Sequence, residues 1–216
     1  MSKFVRGILL FSLACVPAFA DLFQGTFGAD DQVALFNITA STPEIITIQT
    51  YSYGGGTVGS TIIPAGGFAP AAFLFGAPGS LPFSPLPLSA GNSSQVMQDP
   101  TTLNYDDLYF QDTLGPGAYT LALVVDDNTP AGFLVGDGFV EDGNPGFTCQ
   151  VAGVSGNFCD LTTAFGTSRS GNYAISISGA TSVVQVTVPE PSFMFLLLAG
   201  CALTVLLKRR SNLKAV

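Results

Sequence analysis

Gly117-Ala118-Tyr119-Thr120-Leu121-Ala122-Leu123 and Gly171-Asn172-Tyr173-Ala174-Ile175-Ser176-Ile177 follow one pattern, Gly-x-Tyr-x-apolar-x-apolar. Glycine releases the chain from a turn, tyrosine opens a strand, and the apolar side chains two positions apart fall on one face. The same grammar recurs on both sides of this pair. Residues 32–40 alternate around Val33, Leu35 and Phe36, and residues 45–53 read as a strand through Ile46, Ile48 and Thr50. Further strands are expected at 71–75, 108–111, 118–126, 132–135, 173–178 and 182–188. Gly, Pro, Asn and Asp separate these runs, and no convincing amphipathic helix periodicity occurs between residues 21 and 188. The expected fold is all-β: a single β-sandwich, jelly-roll-like, over residues 21–187.

Charge divides the chain of 216 residues into three parts. Fourteen acidic residues and one basic residue, Arg169, lie between 21 and 188, so that segment of about 170 residues carries a formal charge of −13. Its length suits one domain with a sizeable core. Its sign excludes nucleic-acid binding through phosphate and favours solubility, self-repulsion or cation binding. Cys15 and Cys201 belong to the two ends, leaving Cys149 and Cys159 in the body with nine residues between them. An oxidising compartment predicts a disulfide closing that Gly- and Asn-containing loop, worth about 2–3 kcal/mol in the chain-entropy model. The chain has no histidine and no further thiol in the body, which excludes a zinc site, and the spacing is not that of a C-x-x-C redox pair.

The N-terminal twenty residues have the three parts of a secretory signal. Lys3 and Arg6 are positive, residues 7–16 are apolar, and Ala18-Phe19-Ala20 places small residues where cleavage would leave Asp21 first. Two other readings stand beside it: an uncut anchor, for which the apolar run is short, and a lipoprotein signal at Leu13-Ala14-Cys15, where Ser12 occupies a position that normally holds leucine. At the other end, Val188-Pro189-Glu190-Pro191-Ser192 precedes an apolar run at 193–207 and the basic cluster Lys208-Arg209-Arg210, followed by residues 211–216. The prolines keep the motif extended, as a protease or transpeptidase requires. As a transmembrane helix the apolar run would rise about 23 Å, short of a hydrocarbon core of about 30 Å, so it would need tilt or bilayer thinning. The basic cluster would hold its end, and residues 211–216, in the cytoplasm. A plain tail anchor is the competing reading.

The order of Pro-Glu-Pro, short apolar helix and basic cluster resembles the PEP-CTERM sorting signal of Gram-negative bacteria. That resemblance, over about the last thirty residues, implies an exosortase-type processing enzyme as partner and a cell-surface or extracellular destination, with extracellular polysaccharide as a candidate partner. The Gly-x-Tyr echoes, with Asp30-Asp31-Gln32-Val33-Ala34-Leu35-Phe36 upstream, resemble the pre-peptidase C-terminal class of bacterial β-sandwich. Thr50-Tyr51-Ser52-Tyr53-Gly54-Gly55-Gly56, Ile63-Pro64-Ala65-Gly66-Gly67-Phe68-Ala69-Pro70 and Leu74-Phe75 resemble a related domain found on PEP-CTERM proteins, which would have Asp where Ala69 stands. That departure weakens a cation site at this loop. The competing reading is an unrelated sandwich with ordinary turn chemistry.

Catalysis finds little support in the residues. Without histidine there is no Ser-His-Asp or Cys-His arrangement, and the body has no lysine for a phosphate loop. A two-carboxylate glycosidase remains formally open, but the chain has no Trp for stacking sugars. Asp126, Asp127, Asp137, Glu141 and Asp142 are candidate Ca²⁺ ligands if their loops meet at one end of the sandwich, although none sits in an EF-hand spacing. Against this stands the ordinary preference of turns for Asp and Asn. The expected protein is noncatalytic, with a structural or adhesive role. The alternatives are a carbohydrate-binding or Ca²⁺-binding module, with Tyr51, Tyr53, Phe68 and Tyr105 as aromatic candidates, then an ice-binding protein or a weak glycan-active enzyme. Residues 76–100, rich in Pro, Gly and Ser, are expected to form an extended surface loop that packs its Leu and Phe side chains against the sheet.

Overall fold

A computed structural model describes residues 20–76, 85–162 and 164–186. The expected signal peptide up to residue 19, the motif Val188-Pro189-Glu190-Pro191-Ser192, the apolar run 193–207 and the cluster Lys208-Arg209-Arg210 lie outside the described residues. Among the described residues no helix is long and apolar enough to cross a membrane.

The described chain is all-β. Its strands are β1 (Asp21–Thr26), β2 (Ala34–Ala40), β3 (Glu44–Thr50), β4 (Gly56–Val58), β5 (Thr61–Ile63), β6 (Pro70–Gly76), β7 (Leu86–Pro87), β8 (Tyr109–Leu114), β9 (Gly117–Val125), β10 (Asn172–Ser178) and β11 (Ser182–Val186). One sheet has the order β1-β10-β3-β8, a second β11-β2-β9-β6-β7, and β4 with β5 forms a separate hairpin. With that hairpin and β11 set aside, the remaining eight strands counted in chain order read 1-8-3-6 in one sheet and 2-7-4-5 in the other. The two echoed segments become β9 and β10, one in each sheet and each flanked on both sides. Their tyrosines, Tyr119 and Tyr173, point into the core.

Side-chain alternation decides what the sheets enclose. Ile46, Ile48, Ile175 and Ile177 from the four-stranded sheet meet Phe36, Ile38, Leu74, Leu121 and Leu123 from the five-stranded one in a single core. Each of these side chains is buried, and full burial of one such group is worth about 1.5–3 kcal/mol. The two sheets differ on their outer faces. Phe73, Phe75, Ala122 and Val124 project from the other side of β6 and β9 and are covered by Phe139 of the long β9–β10 connection. A sheet covered on both sides loses the polar half of its alternation, which is why β9 reads Leu-Ala-Leu-Val-Val without a break. The four-stranded sheet keeps its alternation: Thr47, Gln49, Tyr109 and Gln111 alternate with Ile46, Ile48 and Phe110, and Gln49 Nε2 donates to the Gln95 carbonyl at 2.7 Å.

Two sequence expectations change. Residues 132–135, expected as a strand, form bends that lead into a 3-10 turn, Val135–Asp137. The Asp137 carboxylate accepts from the Leu134 amide at 3.0 Å and pins that turn, while Phe133 and Leu134 stay 68 % and 64 % exposed. The loop between the cysteines is entered through a one-turn helix, α1 (Phe147–Val151). In the Pro-rich connection after β6, Leu86 pairs with Leu74 and Leu88 joins the core, while residues 77–84 lie outside the described residues.

Candidate binding groove and buried polar network

The open face of the four-stranded sheet is built by register. Phe23, Ile175, Ile48 and Phe110 point inward, so their strand neighbours point outward. β1 offers Gln24 and Thr26, β10 Asn172, β3 Thr47 and Gln49, and β8 Tyr109 and Gln111, while Ala174 and Ser176 of β10 share this side of the sheet but are buried. No Asp, Glu, Lys or Arg occupies an outward position of these four described strands. Hydrogen bonds tie the outward groups to one another: Gln111 Nε2 donates to Thr47 Oγ1 at 3.0 Å, and Thr26 Oγ1 donates to Asn172 Oδ1 at 2.8 Å.

The β4–β5 hairpin turns this face into a groove. Ile62, Ile63 and Pro64 of the hairpin line it together with Gln24, Thr26, Tyr51, Asn172 and Ala174 of the sheet side, around an open volume of about 350 Å³. Tyr51 follows β3 directly, and its amide donates to the Ala174 carbonyl at 2.9 Å, which extends the ladder by one residue. The hairpin can cross the Tyr51 ring because Gly56 has no side chain; a Cβ there would stand 2.7 Å from Tyr51 Cδ1. Burial pushes the Tyr51 hydroxyl up, and the charge of Asp107 adds to this, so the phenol stays neutral at physiological pH.

Behind the groove, buried carboxylates hold the loops. Asp107 Oδ1 accepts from Thr50 Oγ1 at 2.8 Å and from the amides of Ser52 and Tyr53, while Oδ2 accepts from the Gly54 amide at 2.7 Å. Burial pushes the Asp107 carboxyl up, against the pull of these donors. Arg169 Nη2 donates to Asp99 Oδ2 at 2.8 Å and to the Tyr53 carbonyl at 3.0 Å, and its Nε donates to the Gly67 carbonyl at 2.7 Å. The Tyr53 hydroxyl donates to Asp160 Oδ2 at 2.5 Å. Burial and that hydrogen bond push it up to about 12. Burial works to raise the Asp99 carboxyl, but Arg169 and the amides of Thr102 and Thr101 outweigh it and hold the group below the usual carboxylate range.

A fourth buried carboxylate, Asp30, holds the cystine loop. Cys149 and Cys159 are joined, as expected from the sequence, with Cα atoms 4.9 Å apart. Asp30 Oδ1 accepts from the Phe158 amide at 2.6 Å, and its Oδ2 accepts from both the amide and the hydroxyl of Thr148. One side chain near the start of the body thus binds both arms of a loop more than a hundred residues later.

Three of the five candidate calcium ligands accept hydrogen bonds from within three residues. Asp137 accepts from the Leu134 amide, Asp142 from the Phe139 amide at 2.9 Å, and Glu141 from the Asn144 side chain at 2.8 Å. Asp127 sits in the left-handed region with φ 70°. Burial pushes the Asp126 carboxyl up, and the charges of Asp127, Asp106 and Asp160 add to this. Among the described residues no three Asp, Glu or Cys side chains gather as a metal-holding group. Of the aromatic candidates, Tyr53 and Phe68 are buried, and Phe68 stacks between Phe27 and Phe158. Tyr51 lines the groove, and Tyr105 is half-buried elsewhere. Sequence reasoning missed Gln24, Thr26 and Asn172, whose common face appears only once β1 is paired with β10.

No protein-family model, curated protein or solved structure matches the chain.

Proposed function

We propose that the chain is a noncatalytic exported protein of the cell envelope or extracellular matrix with a structural or adhesive role. An exosortase-type membrane enzyme processes it at Val188-Pro189-Glu190-Pro191-Ser192, and the apolar run 193–207 with Lys208-Arg209-Arg210 serves as a temporary single-pass anchor. The observation that carries this reading is the order of these three parts behind a body that begins after a secretory signal. The Cys149–Cys159 disulfide supports it, because such bonds persist in oxidising compartments. The strand order 1-8-3-6 and 2-7-4-5 interleaves two Greek keys and supports a jelly-roll-like β-sandwich as the exported body.

The test is the mass of the exported chain in a host that carries the processing enzyme. Combined Pro189→Ala, Glu190→Ala and Pro191→Ala substitutions leave export intact and retain the tail, so the exported chain is heavier than the wild type. Equal masses for the variant and the wild type refute processing at this motif.

A further inference from the structure

The geometry points to the groove between the β4–β5 hairpin and the four-stranded sheet as a binding site for an uncharged oligosaccharide. This rests on the export reading, since it names what an adhesive body would hold. The groove encloses about 350 Å³, within the range of small-ligand sites. A sugar ring presents hydroxyls around its edge and C–H patches on its faces. The Gln24 amide can donate and accept, and since Thr26 Oγ1 donates to Asn172 Oδ1, Thr26 Oγ1 is left to accept and Asn172 Nδ2 to donate. Tyr51 and Ile62 bring apolar surface, and Ile62 is 80 % exposed at the hairpin.

Charge narrows the ligand class. An anionic polymer meets a body of formal charge −13. The body's one basic side chain, Arg169, is buried and pairs with Asp99, so it offers a bound anion nothing. The groove lining contains no carboxylate for a cationic ligand to pair with. A wholly apolar ligand would strip water from the side-chain amides of Gln24 and Asn172 without replacing its hydrogen bonds. An uncharged polyhydroxylated chain satisfies each of these constraints.

Calorimetric titration of the protein exported by a host that carries the processing enzyme, with cellohexaose, xylohexaose, mannohexaose and hexagalacturonate, tests the assignment. At least one neutral hexaose is expected to bind and hexagalacturonate is not. Gln24→Ala and Tyr51→Leu should each weaken that binding by about tenfold or more, the loss expected for one hydrogen-bonded or stacked contact. Gln24 is exposed, so its variant decides the matter if Tyr51→Leu fails to fold. Absence of binding by all three neutral hexaoses, preference for hexagalacturonate, or equal binding by Gln24→Ala and wild type overturns the site. The mass of the same preparation reads tail processing separately, so failure of the groove and failure of the export reading are distinguishable.

Discussion

The guanidinium carbon of Arg169 lies 3.7 Å from the centroid of the Tyr53 ring, and the same side chain donates to the Tyr53 backbone carbonyl. The single positive side chain of the body is therefore spent inside it, stacked on a phenol and paired with Asp99. Cation–π attraction strengthens when the pair is desolvated, and both members are buried here. The pair joins the loop after β3 to the segment before β10, and so fixes the base on which the β4–β5 hairpin stands.

Arg169→Ala should destabilise the protein by about 3–5 kcal/mol, because it leaves Asp99 buried without its partner. The pH dependence has a definite sign. The Asp99 carboxyl is held low, so its contribution is complete above the ordinary carboxylate range and is lost as pH falls through its depressed value. Denaturant unfolding at several pH values should show a shallower acid limb in Asp99→Asn than in wild type.

The two glycines that open the echoed segments are not equivalent. A Cβ on Gly171 would stand 2.1 Å from the Phe27 carbonyl oxygen, whereas one on Gly117 meets nothing nearer than 3.6 Å. Gly171→Ala should cost about 1–3 kcal/mol through overpacking. Gly117→Ala should be neutral, or stabilise by about 0.4–1 kcal/mol by restricting the unfolded chain. Thermal unfolding of the two single variants reads the difference.

Asp30 and the disulfide restrain the same loop, so their losses should not add. Cys149→Ser with Cys159→Ser should cost about 2–3 kcal/mol. Asp30→Asn should cost about 1–3 kcal/mol, since an amide nitrogen then faces backbone or hydroxyl donors. A double-mutant cycle between the two should give a coupling above about 0.5 kcal/mol.

Asp126 should be better replaced than kept. Burial and neighbouring carboxylates disfavour its charged form, so in the interval between its ordinary and raised pKa the protein loses stability as pH rises. Asp126→Asn should melt higher than wild type at pH about 7, and the gap should close below pH about 4, where the wild-type carboxyl is protonated.

The sequence showed the strands that carry their own periodicity. β2, β3, β9 and β10 follow from Phe36 and Ile38, Ile46 and Ile48, and the two Gly-x-Tyr segments. β1 was not legible, because Leu22 and Phe23 stand side by side and only pairing with β10 decides which faces the core. β4 and β5 are three residues each and lie among glycines that read as turn. The segment at 132–135 misled for the opposite reason: an apolar run suggested a strand, but a local carboxylate bends it first. The carboxylates divide along the same line. Asp137, Glu141 and Asp142 have partners within three residues, as turn chemistry anticipates. Asp30 and Asp107 also sit in acidic doublets, yet their partners lie 53 to 128 positions away, and no local pattern announces that.

The pairing of β1 with β10 also orders events in time. The first strand of the body faces a partner about 150 positions later, so a chain that emerges N-terminus first exposes β1 unpaired until nearly the whole body has followed. Closure by such distant contacts is slow compared with local folding. During that interval Leu22 and Phe23 wait for the strand that will pair with them, and the repulsion among the body's carboxylates opposes their association with another copy.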